Sequence, residues 1–194
     1  NSAAADCIMQ AKVERIASGD KFLAYLIARG NVSANQFYCL GISSGDGTSN
    51  EPHLWLGKFD GATYTNLGGS GGSILPWGTG NYNWSDCYIK FAVFGNTLNG
   101  KVWKVGESEP GDWQVSATDN SFASGIGGVM VATYHTLGWD TVQAAFDDVS
   151  LSKLDQTEVW VDDNWAGSSA GKEVELGKLF GYNAFATIQT AIDA

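Results

Sequence analysis

The stretch at residues 86–103 (DCYIKFAVFGNTLNGKVW) alternates apolar and mixed side chains with a period of two. Successive side chains of an extended strand point to opposite faces, so this period predicts a strand with one buried face. The residues that would share that face are Cys87, Ile89, Phe91 and Val93. Gly95-Asn96 and Asn99-Gly100 are turn signals, and the residues after Gly100 are predicted to return as the partner strand. We therefore expect an antiparallel hairpin at the centre of a sheet.

Short apolar segments separated by turns occupy most of the remaining chain, which has 25 glycines among its 194 residues. The segments predicted as strands are residues 7–13, 22–28, 37–42, 53–59, 62–67, 113–117, 129–136 and 142–151. No helical period separates them, and many short strands joined by turns are typical of an all-β sandwich or jelly roll. We therefore predict a two-sheet antiparallel jelly-roll sandwich over residues 1–152.

The chain is acidic, with a net charge of −10 and only 11 Lys and Arg residues. Nucleic-acid binding requires basic side chains that neutralise phosphates, so this composition argues against a nucleic-acid partner and against anionic membrane surfaces. No apolar run approaches the roughly 20 residues that a membrane-spanning helix needs. A surface rich in acidic and small polar residues fits an extracellular module, although the acidity could equally serve solubility alone.

Three cysteines, Cys7, Cys39 and Cys87, all lie in segments predicted as strands. An odd number cannot pair completely within one chain, and no Cys-x-x-Cys or Cys/His cluster suggests zinc. Free cysteines in strands usually act as small buried apolar side chains. A single disulfide between two of the three is the alternative, and the sequence does not decide which two would pair.

Two loops carry aromatic side chains that a buried core does not readily explain. Residues 68–84 (GGSGGSILPWGTGNYNW) form a glycine-rich segment of a length that is usually functional or mobile, and another loop follows the strand predicted at 129–136. Aromatic rings stack on the apolar faces of sugars while amides bond the hydroxyls, so these loops predict a carbohydrate platform. The candidate ligand-binding residues are Trp77, Asn81, Tyr82, Asn83, Trp84 and Trp139. The alternative is that the rings cover an edge of the sandwich.

The order of motifs in residues 24–151 resembles the concanavalin A-like lectin/glucanase group, which includes laminin-G-like domains. The segments that carry the resemblance are LIARGN…NQFYCLGI, LWLGKFDGATYTNL, YIKFAVFGNTLNGKVW, ESEPGDWQVSATD…GIGGVMV and AFDDVSL. The resemblance implies a two-sheet antiparallel jelly roll for this part of the chain.

Composition changes at residues 152–156, a polar linker, and residues 153–194 are predicted to begin a second domain. VWVDDNWAG and GYNAFATIQTAIDA resemble the first strand and the N-terminal capping helix of right-handed parallel β-helix proteins, with the helix expected over residues 185–194. Such a pairing implies a secreted or surface protein that handles polysaccharide, or a part of a phage fibre or adhesin.

The acidic residues are spread along the sequence and do not form a catalytic motif. Glucanases of the resembled group carry an ExDxxE pattern whose acids share one face of a strand, and no such run occurs here. Glu107 and Glu109 flank a predicted turn, and the adjacent Asp147 and Asp148 would point to opposite faces of a regular strand. The resemblance also implies a structural calcium ion near the last strand, bound by oxygen ligands. Its candidate ligands are Asp147, Asp148 and Asp20, with Asp6 as an alternative to Asp20.

These observations predict a non-catalytic extracellular carbohydrate-binding or recognition module, attached to a larger β-helix protein at a cell or virion surface. One alternative is a structural or interaction subunit of a surface fibre, phage tail or adhesin, which associates with itself or with other subunits. A second alternative is a polysaccharide-degrading enzyme whose active site lies outside this segment. The predicted partner is a polysaccharide or another glycan, and neither nucleic acid nor a membrane span is expected.

Overall fold

The computed structural model describes residues 5–14, 23–43, 53–74, 86–132, 144–154, 158–175 and 177–192. At residues 69–74 it describes the backbone only. The chain divides into two compact units, residues 1–151 and residues 152–194. The first ten strands are β1 Cys7–Glu14, β2 Leu23–Asn31, β3 Gln36–Ser43, β4 His53–Asp60, β5 Thr63–Ile74, β6 Cys87–Phe94, β7 Thr97–Lys104, β8 Val115–Thr118, β9 Ile126–Val131 and β10 Ala145–Lys153.

These strands form two five-stranded sheets, ordered β10-β1-β6-β7-β8 and β5-β4-β3-β2-β9. The paired strands run antiparallel. Strand β1 faces β2, β7 faces β4, and β8 faces β5, so the two sheets lie on one another. The predicted two-sheet antiparallel sandwich is confirmed.

The core lies between the sheets and follows the period-two pattern of the strands. Met9, Leu26, Leu40 and Leu56 are each at most 1% exposed. Burying one such side chain contributes roughly 1.5–3 kcal/mol, so this layer supplies most of the driving force for folding. The inward residues of the hairpin belong to the same core, as predicted: Cys87, Ile89, Phe91 and Val93. The remaining residues of β6 therefore point to the outer face of the sheet.

The hairpin turns at Gly95-Asn96, where Gly95 has a φ of 54°. The second predicted turn is wrong, because Asn99 and Gly100 both lie within β7 and pair with β6. A Cβ at position 100 would overlap the Leu40 side chain of the opposite sheet. Residue 100 is thus a glycine because the two sheets approach closely there, and the return strand begins earlier than predicted.

The outer face of the sheet that contains β3 and β4 carries a second apolar cluster. Its buried members are Leu23, Tyr25, Phe37 and Cys39. Two aromatic side chains fill the space above Gly41, where a side chain is missing: a Cβ there would be 2.6 Å from both Trp55 Nε1 and Tyr25 Cε1. Tyr64, at 41% exposure, is the most open aromatic residue of this face among those described. Packing on the sheet accounts for these strand aromatics.

In its described residues the second unit, residues 152–194, contains four short strands, a 3-10 helix at Asp163–Trp165 and one α-helix. Its elements are β11 Trp160–Val161, β12 Glu173–Glu175, β13 Lys178–Leu179, β14 Ala184–Phe185 and α1 Ile188–Ile192. Strand β11 pairs with β14 in parallel, whereas β12 and β13 pair antiparallel. Helix α1 begins later than predicted because Phe185 belongs to β14. Among the described residues no helix has the length and apolarity that crossing a membrane requires.

All three cysteines carry free, buried thiols, as the first of the two sequence interpretations expected. Burial disfavours the charged thiolate and raises the pKa of Cys7 to about 11 and that of Cys39 to about 12. The pKa of Cys87 is raised well above its ordinary value for the same reason. The thiolate is the reactive form, so the three side chains act as small apolar residues.

Candidate functional site

The outward face of the central hairpin is polar and aromatic, and it forms the candidate site. Because β6 and β7 turn every second side chain into the core, the intervening residues share the outer face of the sheet. The strand register sets Tyr88 opposite Trp103 and Lys90 opposite Lys101. We call Tyr88, Lys90, Asn99, Lys101 and Trp103 the hairpin face.

One end of the hairpin face is a stacked pair of aromatic rings. The ring centroids of Tyr88 and Trp103 are 5.5 Å apart, with an interplanar angle of 25°. Such a pair contributes about 0.5–1.5 kcal/mol beyond the burial of its area. The Tyr88 hydroxyl donates towards Asp148 Oδ2 at 3.4 Å. Trp103 is only 7% exposed and Tyr88 is partly exposed, so Tyr88 is the ring of the pair that reaches the surface, beside the Asp148 carboxylate.

Two buried lysines share one carboxylate at the centre of the face. Lys90 Nζ donates to both carboxylate oxygens of Glu109 at 2.9 Å, and Lys101 Nζ lies 2.5 Å from Glu109 Oε1. The two lysine side chains are 6% and 4% exposed, whereas that of Glu109 is 34% exposed. Partial burial would raise the pKa of Glu109, but the hydrogen bonds from Lys101 and Lys90 outweigh burial and hold that pKa below its ordinary value.

The segment after β7, residues 105–114, lies beside these lysines and is tied to the same strand. Lys101 donates to the Pro110 carbonyl at 3.0 Å, and its ammonium group is 4.6 Å from the centre of the Trp113 ring. The Gln114 side chain accepts the Val102 N–H at 2.7 Å. The residues that directly follow Glu109 in the chain are therefore fixed on β7, which helps to hold Glu109 in place.

A second polar cluster lies at one end of the sandwich and is centred on Arg29, which is 4% exposed. Its guanidinium donates to the carbonyls of Ala5 at 2.5 Å, Gly95 at 2.8 Å and Phe122 at 3.0 Å. It also forms an ion pair with Asp6 at 2.8 Å. One side chain thus joins β2 to three segments that are distant in sequence.

Tyr38 and Asp119 continue this cluster. Asp119 accepts hydrogen bonds from the Tyr38 hydroxyl at 2.7 Å and from Lys58 Nζ at 2.6 Å. Burial would raise the pKa of Asp119, but the donors Lys58, Ser121 and Tyr38 outweigh it and keep that pKa well below its usual range. Burial and the neighbouring carboxylate raise the pKa of Tyr38 to about 12. We call Asp6, Arg29, Tyr38, Lys58 and Asp119 the end network.

Lys58 of the end network also makes a serine–lysine contact, a kind of contact that can bear on catalysis. Lys58 Nζ lies 2.6 Å from Ser121 Oγ, the distance at which a neutral lysine could activate a serine nucleophile. Asp119 Oδ2 lies equally close to the same nitrogen and accepts a hydrogen bond from it. Lys58 thus links Asp119 and Ser121, two residues of the loop that follows β8.

Most of the predicted site residues lie outside the described part of the chain. They are Asp20, Trp77, Asn81, Tyr82, Asn83, Trp84 and Trp139. Asp147 and Asp148 lie in β10, where Asp148 has a φ of 49° and its N–H donates to Asp147 Oδ1 at 2.9 Å. Asp6 serves the end network instead of joining them. The described residues contain no group of three His, Cys, Asp or Glu side chains that could hold a metal ion, and the calcium ion stays a prediction.

The sequence analysis did not single out the hairpin face, although its signal was present. The same alternation that identified the buried residues of β6 places Tyr88 and Lys90 together on the other face. The missing information was the position of the turn, because a turn at Asn99-Gly100 would have removed Asn99 from the sheet. With the turn at Gly95-Asn96, Trp103 falls opposite Tyr88 and completes the aromatic pair.

Two solved structures are similar to this chain in fold. The carbohydrate-binding module CBM66 from Bacillus subtilis matches with a TM-score of 0.56 and 14% identity, over 79% of this chain and 78% of that one. A xylan β-1,4-xylosidase from Bacillus halodurans C-125 matches with a TM-score of 0.50 and 16% identity, over 77% of this chain but only 28% of the xylosidase. No protein-family model and no curated protein matches the sequence. At these identities the likeness establishes a shared β-sandwich fold.

Proposed function

We propose that the first unit, residues 1–151, is a carbohydrate-binding module and that the hairpin face is its ligand site. The observation that carries the proposal is the stacked pair of Tyr88 and Trp103 beside the Lys90–Glu109–Lys101 group on one face of a sheet. Similarity of fold to a protein described as a carbohydrate-binding module supports this choice among the functions that a sandwich can serve.

The chemistry of the face suits a sugar ring. Sugars offer apolar C–H faces to aromatic rings and hydroxyl groups to polar side chains, and a site needs both kinds of contact in fixed positions. Tyr88 and Trp103 provide the rings, and their stacking fixes the orientation of each. Glu109, which is 34% exposed and held by Lys90 and Lys101, provides acceptor oxygens in a fixed position, so little conformational entropy is lost when a ligand binds.

The loop residues predicted from the sequence belong to the same proposal. Trp84 precedes Tyr88 by only four residues in the chain, and Tyr82 precedes it by six. We expect Trp77, Tyr82, Trp84 and Trp139, with Asn81 and Asn83, to add contacts for the same ligand. A calcium ion on Asp147 and Asp148, with Asp20, would brace the last strand.

The module is proposed to be non-catalytic, extracellular and attached to a β-helix protein. The carboxylate at the centre of the hairpin face supports the first point, because Glu109 is engaged by two lysines and has no second acid facing it across a cleft in the described residues. The parallel pairing of β11 with β14 supports the last point, since parallel strands are the repeating unit of a β-helix.

Affinity electrophoresis tests the binding function. The panel contains xylan, soluble β-glucan, galactomannan and polygalacturonate, each cast into a native gel. We expect at least one of them to retard the wild-type protein, and we expect Tyr88→Ala to weaken that binding about tenfold, which corresponds to about 1.4 kcal/mol. Tyr64→Ala, which removes an exposed ring from the other sheet, is the matched control and should be retarded like wild type. Absence of retardation in every gel would overturn the proposal.

A second candidate function is assembly with other subunits, and the edges of the sandwich favour it. Strands β9 and β10 are the outermost strands of their sheets on the same side of the sandwich. They expose apolar side chains at 38–52%: Val129, Val131, Val149 and Leu151. Unpaired edge strands with apolar side chains can recruit another chain. Light scattering over a hundredfold range of concentration tests this function, and a constant monomer mass would exclude self-association.

A further inference from the structure

We propose that the edge strand β10 pairs with the β10 strand of a second copy of this chain, antiparallel and about a two-fold axis at Ser150. This inference rests on the second candidate function, assembly, and deepens it by naming the partner, the strand and its direction. It is independent of the carbohydrate-binding function. The observations that carry it are the exposed apolar side chains of β10 and the opposite charges at its two ends.

Strand β10 has an edge that can accept another strand. It is the outermost strand of the sheet ordered β10-β1-β6-β7-β8, so its backbone pairs with β1 on one side. Residues 147–151 of this strand are all exposed. An edge strand keeps a row of backbone N–H and C=O groups that a further strand can bond. A second chain can therefore extend this sheet without displacing any strand that the structure describes.

The apolar side chains of this edge face the space between the two sheets. On β9, Val129 is paired with the core residue Leu26, and directly paired residues share one face of a sheet. On β10, Leu151 fills the space beside Gly127, because a Cβ there would be 2.3 Å from Leu151 Cδ1. Val129 is nevertheless 38% exposed, Leu151 42% and Val149 52%. The apolar layer thus reaches solvent along this edge, and a second copy would cover it.

The charges of β10 fit antiparallel pairing with an identical strand. Asp147 and Asp148 lie towards one end of the strand and Lys153 lies at the other, and all three are exposed. Antiparallel pairing brings the acidic end of each strand to the basic end of the other, and the two-fold axis generates this contact twice. Parallel pairing would set like charges side by side, which is unfavourable. Strand β10 is therefore complementary to itself in one direction only.

One register satisfies the charges and the apolar side chains together. With Ser150 opposite its own copy, Val149 is paired with Leu151 of the second copy, and Asp147 reaches Lys153 of the second copy. A register centred on Leu151 would instead set Val149 opposite a lysine. The symmetric register at Ser150 is therefore the one that we expect.

Asp148 limits the length of the new ladder. Its φ of 49° lies outside the extended region, and an interruption of this kind in an edge strand shortens the regular stretch that a partner can bond. The backbone ladder is therefore confined to a few residues around Ser150, and the acidic end makes its contact through side chains. An interface of this size predicts a weak dimer that dissociates on dilution.

Sedimentation velocity of the full chain tests the direction of pairing by charge. We expect the wild type to change from monomer to dimer over a hundredfold range of concentration. Lys153→Glu and Asp147→Lys should each weaken the dimer about tenfold, because each sets like charges opposite one another. An equimolar mixture of the two variants should recover the dimer, since both of its cross-strand contacts then join opposite charges. Lys172→Glu makes the same charge change outside β10 and should dimerise like wild type.

A cysteine at the centre of the pair tests the register. Ser150→Cys sets two thiols opposite one another, and directly opposite residues of antiparallel strands have Cα atoms about 4.5–5.5 Å apart, within the range of a disulfide. We expect this variant to form a covalent dimer on mild oxidation. Ser33→Cys, on the exposed turn after β2, is the matched control and should stay monomeric. The three native thiols are buried and do not compete.

The outcomes separate the inference from the assembly function. If the wild type self-associates, but the mixture of charge variants stays monomeric and Ser150→Cys does not cross-link, assembly uses another surface and the inference falls. If the wild type and Ser150→Cys are monomeric at every concentration, the inference and self-association fall together. The polysaccharide gels decide the binding function separately in both cases.

Discussion

The end network and the hairpin face contain the same kinds of side chain, but these side chains serve different roles. Each contains a lysine paired with a carboxylate, an aromatic residue in contact with the pair, and charged groups that are largely buried. In the end network every charged group of Arg29 and Asp119 is engaged by the protein, and the partners come from segments up to 93 residues apart. A buried charge alone therefore does not identify a ligand site.

The hairpin face differs from the end network in how much of its carboxylate and aromatic side chains is exposed to solvent. Tyr88 is partly exposed, and Glu109 keeps a third of its side chain exposed, whereas the Asp119 side chain of the end network is only 14% exposed. All five of its defining residues come from a single hairpin. The difference teaches that the exposure left to the carboxylate, more than its charge or its pairing with lysine, separates a structural cluster from a candidate recognition surface.

Removing Arg29 should have the largest effect on stability. Arg29→Met leaves Asp6 without its cation and three carbonyls without their donor, and loss of one member of a buried ion pair costs about 3–5 kcal/mol. We expect a decrease of that size in the free energy of unfolding, measured by urea titration with tryptophan fluorescence. Binding per folded molecule should not change, because Arg29 does not belong to the hairpin face.

The matched control for this prediction is Lys12→Met. Lys12 forms an ion pair with Glu14 in which both side chains are partly exposed, and such solvent-screened pairs add little to stability. If Arg29→Met lost no more stability than Lys12→Met, the end network would not be the structural clamp described above.

Acid should weaken the end network through Asp119. Because the folded-state pKa of Asp119 is lowered, its contribution to stability is fully present above the unfolded value of about 3.9 and is lost as the pH falls towards the folded value. Asp119→Asn should therefore cost about 1–3 kcal/mol at pH 7, and the difference from wild type should shrink steadily below pH 4. Urea titrations at pH 7, 4 and 2.5 measure it.

Asp60→Asn is the control for the acid prediction, since Asp60 is an exposed carboxylate that accepts a hydrogen bond from Gln36. Its substitution should change stability by a few tenths of a kcal/mol at every pH. A gap between wild type and Asp119→Asn that stayed constant down to pH 2.5 would show that the charge of Asp119 is not what stabilises the loop.

The sequence predicted the sandwich because its strands follow a local rule. Period-two alternation in β1 and β6 identified the inward residues correctly, and the core contains them all. Turn chemistry was less reliable for the hairpin, since Asn-Gly favours a turn only where no tertiary contact competes. At Gly100 the competing contact is Leu40 on the opposite sheet, which a local pattern cannot reveal.

The sequence did not predict the end network or the group around Glu109 for the same physical reason: their contacts join residues that are distant in sequence. Arg29 reaches partners 23 to 93 residues away, and Glu109 meets Lys90 from 19 residues away. In the sequence Glu109 appeared only as an acid beside a turn. Within the hairpin face, the register that places Tyr88 opposite Trp103 follows once the turn at Gly95-Asn96 is known. That part of the site could therefore have been predicted from the sequence.

Neutralising Glu109 should have the smallest effect on stability and a distinct effect on binding. Glu109 is one-third exposed and Gln keeps an oxygen that can accept from the two buried lysines, so Glu109→Gln should cost only about 1–2 kcal/mol. Because the pKa of Glu109 is lowered, its contribution is present above about pH 4.3 and is lost as the pH falls below that value. Glycan affinity should drop several-fold in the variant, since the two lysines lose the anion that orients them, whereas Asp119→Asn should bind like wild type. Equal binding by both variants would erase the functional distinction between the hairpin face and the end network.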